Sequence, residues 1–82
     1  MDTLSLTRDI LRDNLQLGAR ADKLEPDSYL MGQLPEFNSL SVVGIIASIE
    51  DQLGVAISDD EITGDIFETV GSLAQFIEAK MA

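Results

Sequence analysis

The sequence predicts a small all-α bundle with three longer helices, one short third helix and a long first loop. Three observations support this fold. Apolar residues recur at helical spacing in three stretches, capping residues precede the later helices, and a stretch with glycine and proline separates the first two. The 82 residues, 45% of them apolar, suffice for one modest core. We therefore expect residues 1–82 to form a single domain.

The first helix is predicted between Thr3 and Leu17, where apolar residues cover one side of a helix. These residues are Leu4, Leu6, Ile10, Leu11, Leu15 and Leu17. The other side carries arginine and aspartate together, which argues against a basic helix lying on a membrane surface. Gly18 is placed to end the helix.

A long loop is predicted for residues 18–38, because this stretch contains two glycines and two prolines. Apolar residues within it can pack onto the core, which explains how so long a loop stays ordered. They are Leu24, Tyr29, Leu30, Met31, Leu34 and Phe37. For Tyr29 we expect a packed ring with its hydroxyl in water.

The second helix is predicted for residues 39–53, a run too long for a typical buried strand. One stripe follows helical spacing and should face the core: Val42, Ile45, Ile46, Ile49 and Leu53. A second stripe consists of Leu40, Val43 and Ala47. This stripe is either the edge of a wide core face or an exposed strip that docks on partner proteins.

Capping residues predict the last two helices. Ser58 and Glu61 have the spacing of a capping box, so a short third helix should begin there and end at Gly64. Thr69 should cap the last helix, in which Val70, Leu73, Ala74 and Ile77 share one face. An EF-hand count from Asp59 places Val70 where a bidentate glutamate is required, so no metal site is predicted.

The formal net charge of −10 argues against nucleic acid as a partner and favours partners with a basic surface. The charge is unevenly distributed: four of the five basic residues lie within the first 23 positions. Residues 24–79 contain eleven acids and no base. We therefore interpret the second half of the chain as the half that faces partners.

The composition also excludes most catalytic chemistry. The chain has no cysteine and no histidine, and no set of residues resembles a catalytic triad, a phosphate-binding glycine loop or a metal cluster. We expect a protein that is not an enzyme and has no catalytic residues. No signal peptide or membrane-spanning run is recognisable, so we expect a cytoplasmic protein without membrane insertion. We also expect a monomer.

Ser39 lies at the start of the second helix, and two roles are open to it. Its hydroxyl could cap the helix by accepting a backbone N–H. Alternatively, it could carry a phosphate ester, which the N–H groups and the helix dipole would favour.

The segment from Asn38 to Gly54 combines a polar pair with an apolar helical run. Its characteristic residues are Asn38, Ser39, Leu40, Val42, Val43, Ile45, Ile46, Ile49, Glu50, Leu53 and Gly54. This pattern resembles the carrier segment of the acyl carrier proteins, whose usual motif is Asp-Ser-Leu or Asp-Ser-Met. The resemblance continues through residues 58–61 and 69–73 and so covers nearly the whole chain.

The resemblance implies a function for Ser39. A separate phosphopantetheinyl transferase would attach 4'-phosphopantetheine from coenzyme A to its hydroxyl, with Asn38 and Leu40 as the flanking motif. The thiol of this arm would carry acyl groups as thioesters. The partners would be acyl-transferring or acyl-activating enzymes with basic docking surfaces, in fatty-acid, polyketide or related lipid biosynthesis.

Two further sets of residues follow from this interpretation. Partner enzymes should contact Leu40, Ser41, Val43, Gly44, Ala47, Glu50, Asp51, Asp59, Asp60 and Glu61. The acyl chain should be sheltered by Ile45, Ile49, Leu53 and Ile62, which could equally be plain core residues.

The chain departs from the family pattern at three positions. Asn38 replaces the usual Asp, and Ser41 and Gly44 stand where acids are common. These departures favour a specialised carrier, and residues 60–64 and 68–73 are similar to carriers associated with exosortase and exopolysaccharide gene clusters. Two alternatives remain: a peptidyl or aminoacyl carrier with the same arm, and an unmodified acidic helical adaptor that uses Ser39 only as a cap.

Overall fold

The computed structural model describes residues 3–30 and 37–81, except for the side chains of Ser39 and Asp59. It contains three α-helices, α1 (Thr3–Leu15), α2 (Ser39–Leu53) and α3 (Val70–Met81). Short 3₁₀ segments lie between them, at Gly18–Lys23, Asp59–Glu61 and Gly64–Phe67. Strand-like pairing in the described part is limited to one isolated antiparallel bridge, between Tyr29 and Thr69. The predicted all-α fold is confirmed.

The core lies where the three α-helices meet, with α1 in contact with both of the others. The apolar side of α1 is buried as the periodicity predicts, and Leu4 packs against its edge. From α2 and α3, the residues with no exposed surface are Ile45, Ile49, Val70, Leu73 and Ile77. Among the described helices, none has the length and apolar character needed to cross a bilayer.

The first helix ends earlier than its sequence predicts. α1 stops at Leu15, and Gln16 adopts the left-handed conformation with φ 53°. Gly18 is also left-handed, with φ 59°, but it begins the following 3₁₀ segment. The prediction that Gly18 ends the first helix is therefore wrong, because the chain already turns at Gln16.

The first loop packs onto the core largely as predicted. Leu24, Leu30 and Phe37 are buried, whereas Met31 and Leu34 lie outside the described residues. The prediction of a packed ring for Tyr29 is wrong, because 55% of the surface of this residue is exposed. Its neighbour in sequence, Leu30, takes the buried position because consecutive residues of an extended segment point to opposite sides.

Three backbone hydrogen bonds tie this loop to the start of α3. The N–H of Val70 donates to the carbonyl of Ser28 at 2.9 Å, and the N–H of Gly71 donates to the carbonyl of Pro26 at 2.7 Å. The N–H of Leu30 donates to the carbonyl of Glu68 at 3.1 Å. The first two bonds satisfy the N–H groups of Val70 and Gly71, which have no partner within the helix.

The caps of the later helices agree with the sequence in part. Thr69 Oγ1 accepts from the N–H of Ser72 at 3.0 Å, and Ser72 Oγ accepts from the N–H of Thr69 at 2.9 Å, which confirms the cap of α3. Glu61 Oε2 accepts from the N–H of Ser58 at 2.9 Å. However, Gly64 begins the 3₁₀ segment Gly64–Phe67, so it does not end the short helix as predicted.

Candidate functional site

The start of α2 is capped by Asn38. Its backbone is extended (φ −148°, ψ −176°), and its Oδ1 accepts from the N–H of Leu40 at 2.9 Å and of Ser41 at 3.1 Å. Ser39 is the first helical residue. The capping role that the sequence left open for Ser39 is therefore filled by Asn38.

The surface around this helix start is exposed. Asn38 is exposed, and Leu40 has 83% of its surface in solvent. Ser41 is half-buried and lies with its Oγ 3.4 Å from Asn38 Oδ1. Although the side chain of Ser39 lies outside the described part, its neighbours on both sides place this end of α2 at the surface.

An exposed apolar strip runs along α2 from this end. It consists of Leu40, Val43 and Ala47, of which Val43 is 68% exposed. The strip is not the edge of the core face, because the core face is formed by Ile45, Ile46 and Ile49. An exposed leucine and valine so close together form a surface suited to contact with another protein.

The acidic residues predicted to meet partners fall into two groups. Asp51 and Asp60 are exposed, whereas the side chain of Asp59 lies outside the described part. Glu50 and Glu61 are half-buried and hold internal hydrogen bonds: Glu50 Oε2 accepts from the N–H of Ile57 at 2.8 Å, and Glu61 Oε1 pairs with Lys80. Internal partners thus occupy two of the predicted contact residues.

Gly44 differs from the other residues predicted to contact partners, because it faces α1. A β-carbon built on Gly44 would lie 2.7 Å from Asn14 Oδ1. Asn14 is fixed there by Nδ2, which donates to the carbonyl of Ile10 at 2.8 Å and to Ser48 Oγ at 2.9 Å. Gly44 therefore serves the close approach of α1 and α2, and an acid at this position would displace Asn14.

A groove of about 280 Å³ lies between α2 and the segment that follows it. Its lining residues are Val42, Val43, Ile46, Ala47, Glu50, Ile57 and Ile62. All of them except Glu50 are apolar. The groove can therefore receive an apolar chain.

Of the residues predicted to shelter an acyl chain, Ile62 lines this groove. Ile45 and Ile49 are fully buried core residues, and Leu53 is half-buried against the core. Ile57 also lines the groove, although it was not among the predicted site residues. The sequence feature that could have indicated Ile57 is its pairing with Ile62 on the other side of an acidic turn.

The described residues contain no group of three or more acids that could hold a metal ion. At the start of α2, the structure places a serine in the first helical position, where the helix dipole is positive.

A family model described as a phosphopantetheine attachment site matches residues 6–77 of the chain. The fold is also similar to the solution NMR structure of a holo acyl carrier protein from Nitrosomonas europaea, with a TM-score of 0.89 and 43% sequence identity. The match covers 99% of this chain and 98% of that one.

Proposed function

We propose that Ser39 carries the cofactor arm of this protein, because the chain belongs to the acyl carrier protein family and Ser39 begins the capped, exposed end of α2. Proteins of this family are non-catalytic carriers, and the cofactor is a covalently attached 4'-phosphopantetheine. The observation that supports Ser39 is the cap formed by Asn38, since a hydroxyl that is not needed as the cap can be modified without loss of the helix end.

The residues at this helix end fit a phosphate-linked group. The first turn of α2 contains no acidic residue that would repel a phosphate, and the helix dipole is positive there. Asn38 and Leu40 are exposed and leave room for an enzyme to approach. The chain has no cysteine, so the thiol of the arm must come from outside, and it has no histidine, the residue that most often serves as general base.

Attachment forms one bond from Ser39 Oγ to phosphorus. The bond that breaks is the one between the pantetheine-bearing phosphorus and the bridging oxygen of the coenzyme A diphosphate. Adenosine 3',5'-bisphosphate leaves, and a base of the phosphopantetheinyl transferase, the enzyme that we propose for this step, takes the proton of the Ser39 hydroxyl. When bound, the arm supplies a thiol that carries an acyl group as a thioester.

The groove is proposed as the shelter for the acyl chain. Val42 and Val43 line the groove, and they lie three and four residues after Ser39. Residues at this spacing share one face of a helix, so the groove lies on the face of α2 that contains position 39. Six of its seven lining residues are apolar, which suits a hydrocarbon chain better than a polar substrate.

The partners that we propose are acyl-transferring or acyl-activating enzymes with basic docking surfaces, in fatty-acid, polyketide or related biosynthesis. The apolar strip would supply the contact area, with Leu40 and Val43 as anchors. Asp51 and Asp60 are the exposed acids that would steer a basic surface towards it. An unmodified adaptor that uses Ser39 as a cap does not account for these observations, because Asn38 is the cap.

The proposal is tested by loading the apo chain with coenzyme A and a broad-specificity phosphopantetheinyl transferase. Intact mass should reveal a single phosphopantetheine adduct, and fragmentation should place it on Ser39. The absence of an adduct under several transferases, or an adduct on another serine, would contradict the proposal.

We expect Asn38→Asp to speed loading. An aspartate can keep the cap, it adds a favourable charge at the helix N-terminus, and it restores a charge that a basic transferase surface would meet. The measurement is the initial rate of adduct formation. Gln75→Glu is the matched control, because it adds the same charge at an exposed position on α3. Equal or slower loading of Asn38→Asp would show that this position does not limit recognition.

A further inference from the structure

The groove has one firm wall and one weakly packed wall. The firm wall is α2, whose inner residues Ile45 and Ile49 have no exposed surface. The other, which we call the outer wall, is formed by residues 55–62, and each of its described side chains is exposed or half-buried. Ile57 and Ile62 pack against the core, but none of the described side chains is fully buried. Such a segment opens locally at lower cost than a buried one, so the width of the groove depends on what holds the outer wall in place.

Glu50 holds the beginning of the outer wall. Its backbone carbonyl accepts from the N–H of Gly54 at 2.8 Å and from the N–H of Val55 at 3.2 Å. Its side chain then reaches past this turn, and Oε2 accepts from the N–H of Ile57 at 2.8 Å. One residue of α2 therefore fixes the path of the chain from the left-handed Gly54 (φ 66°) to the first isoleucine of the groove.

Glu61 holds the other end. Its Oε2 accepts from the N–H of Ser58, and its Oε1 pairs with Lys80 of α3, whose Nζ lies 5.9 Å from the ring centroid of Phe76. Besides the packing of Ile57 and Ile62 against the core, the outer wall is thus held by two carboxylates, one on α2 and one that connects to α3.

Glu50 is also the exception in the composition of the groove. Every other lining residue is apolar, and a half-buried carboxylate in apolar surroundings is unfavourable unless it accepts hydrogen bonds. Its bond to Ile57 is such a partner. Because Ile57 itself lines the groove, the bond links the charge of Glu50 to the position of the opposite wall.

We propose that Glu50 is a positioning residue for the acyl groove: its carboxylate sets the distance between Ile57 and α2, and so determines which acyl-chain lengths the groove shelters. The proposal rests on the proposed function, since it takes the groove as the acyl site. It concerns a different step, however, because the attachment of the arm to Ser39 does not require the bond between Glu50 and Ile57.

The first test uses the apo chain and measures amide hydrogen exchange at Ile57. In Glu50→Ala we expect exchange roughly tenfold faster, which is the size of effect given by the loss of a hydrogen bond to a charged acceptor. Glu50→Gln should restore slow exchange, because its amide oxygen can accept the same bond. Asp51→Ala removes the same charge from the neighbouring position but keeps the bond between Glu50 and Ile57. In this variant the amide of Ile57 should therefore exchange at the rate seen in the unchanged chain.

The second test uses the loaded chain with short, medium and long saturated acyl groups and follows the amide chemical shifts of the groove residues. In the unchanged chain, these shifts should stop changing beyond a certain chain length. In Glu50→Ala this limit should move to longer acyl chains. In Glu50→Gln the limit should be the same as in the unchanged chain. If the limit is the same in Glu50→Ala, or if Glu50→Gln behaves like Glu50→Ala, the positioning role is overturned.

The two proposals fail in distinguishable ways. If no adduct forms on Ser39, the proposed function fails. If acyl groups of every length leave the groove shifts of the unchanged chain unaltered, the groove is not the acyl shelter, and the role of Glu50 fails with it. If the unchanged chain responds to acyl length and the Glu50 variants respond identically, the proposed function stands and only the role of Glu50 is lost.

Discussion

Ser39→Ala is expected to abolish loading of the arm completely. The reason is chemical: alanine has no oxygen to form the bond to phosphorus, and a neighbouring hydroxyl would lie at a different angle around the helix. The measurement is intact mass after incubation with coenzyme A and a broad-specificity transferase. Ser41→Ala removes the other hydroxyl of the first turn and should still take up the adduct.

The same variant should leave the fold nearly unchanged. Because Asn38 provides the cap of α2, Ser39→Ala should alter the free energy of unfolding by no more than about 0.5 kcal/mol, as for an ordinary surface substitution. Asn38→Ala should cost about 1 kcal/mol, the usual effect of losing a cap. A full adduct on Ser39→Ala, or a large loss of stability in that variant, would contradict the roles assigned to these two residues.

Gly71→Ala is expected to lower the free energy of unfolding by about 2 kcal/mol, although alanine favours helices more than glycine does. A β-carbon at this position would lie 2.6 Å from the backbone carbonyl oxygen of Pro26. That oxygen cannot move aside easily, because it accepts the hydrogen bond from the N–H of Gly71 itself. The substitution must push the first loop away from α3.

Urea denaturation gives the measurement, and Gly64→Ala provides the matched control. A β-carbon on Gly64 would meet no atom within 4 Å, so this variant should be neutral or slightly more stable. Equal stabilities for the two variants would show that the first loop yields to the new methyl group. The contact between Pro26 and Gly71 would then not be a fixed feature of the fold.

Local sequence signals predicted the helices and the cap of α3. The apolar period identified the buried face of α1 and of α2, and Thr69 caps α3 as its sequence indicates. These features depend on neighbours within one or two helical turns, which is the range over which a periodic pattern is informative. The end of α1 was missed because a left-handed Gln16 has no strong sequence signal.

Features that join distant parts of the chain were not predictable in this way. Periodicity indicated that Ile45 and Ile49 face inward, but it could not show that neighbouring elements enclose them completely. Gly44 appeared to be a missing acid, whereas its surroundings are set by Asn14, thirty positions earlier in the sequence. In both cases, packing between elements determined the role of the residue.

The hydrogen bonds between residues 26–30 and 68–71 also bear on how the protein folds. The bonded residues lie roughly forty positions apart, so these contacts raise the contact order and form only after a large loop has closed. During synthesis, residues 26–30 cannot acquire their final position until residues 68–71 have emerged from the ribosome. We therefore expect residues 26–30 to take their final position late in folding, and not to take it in a nascent chain that stops short of residue 68.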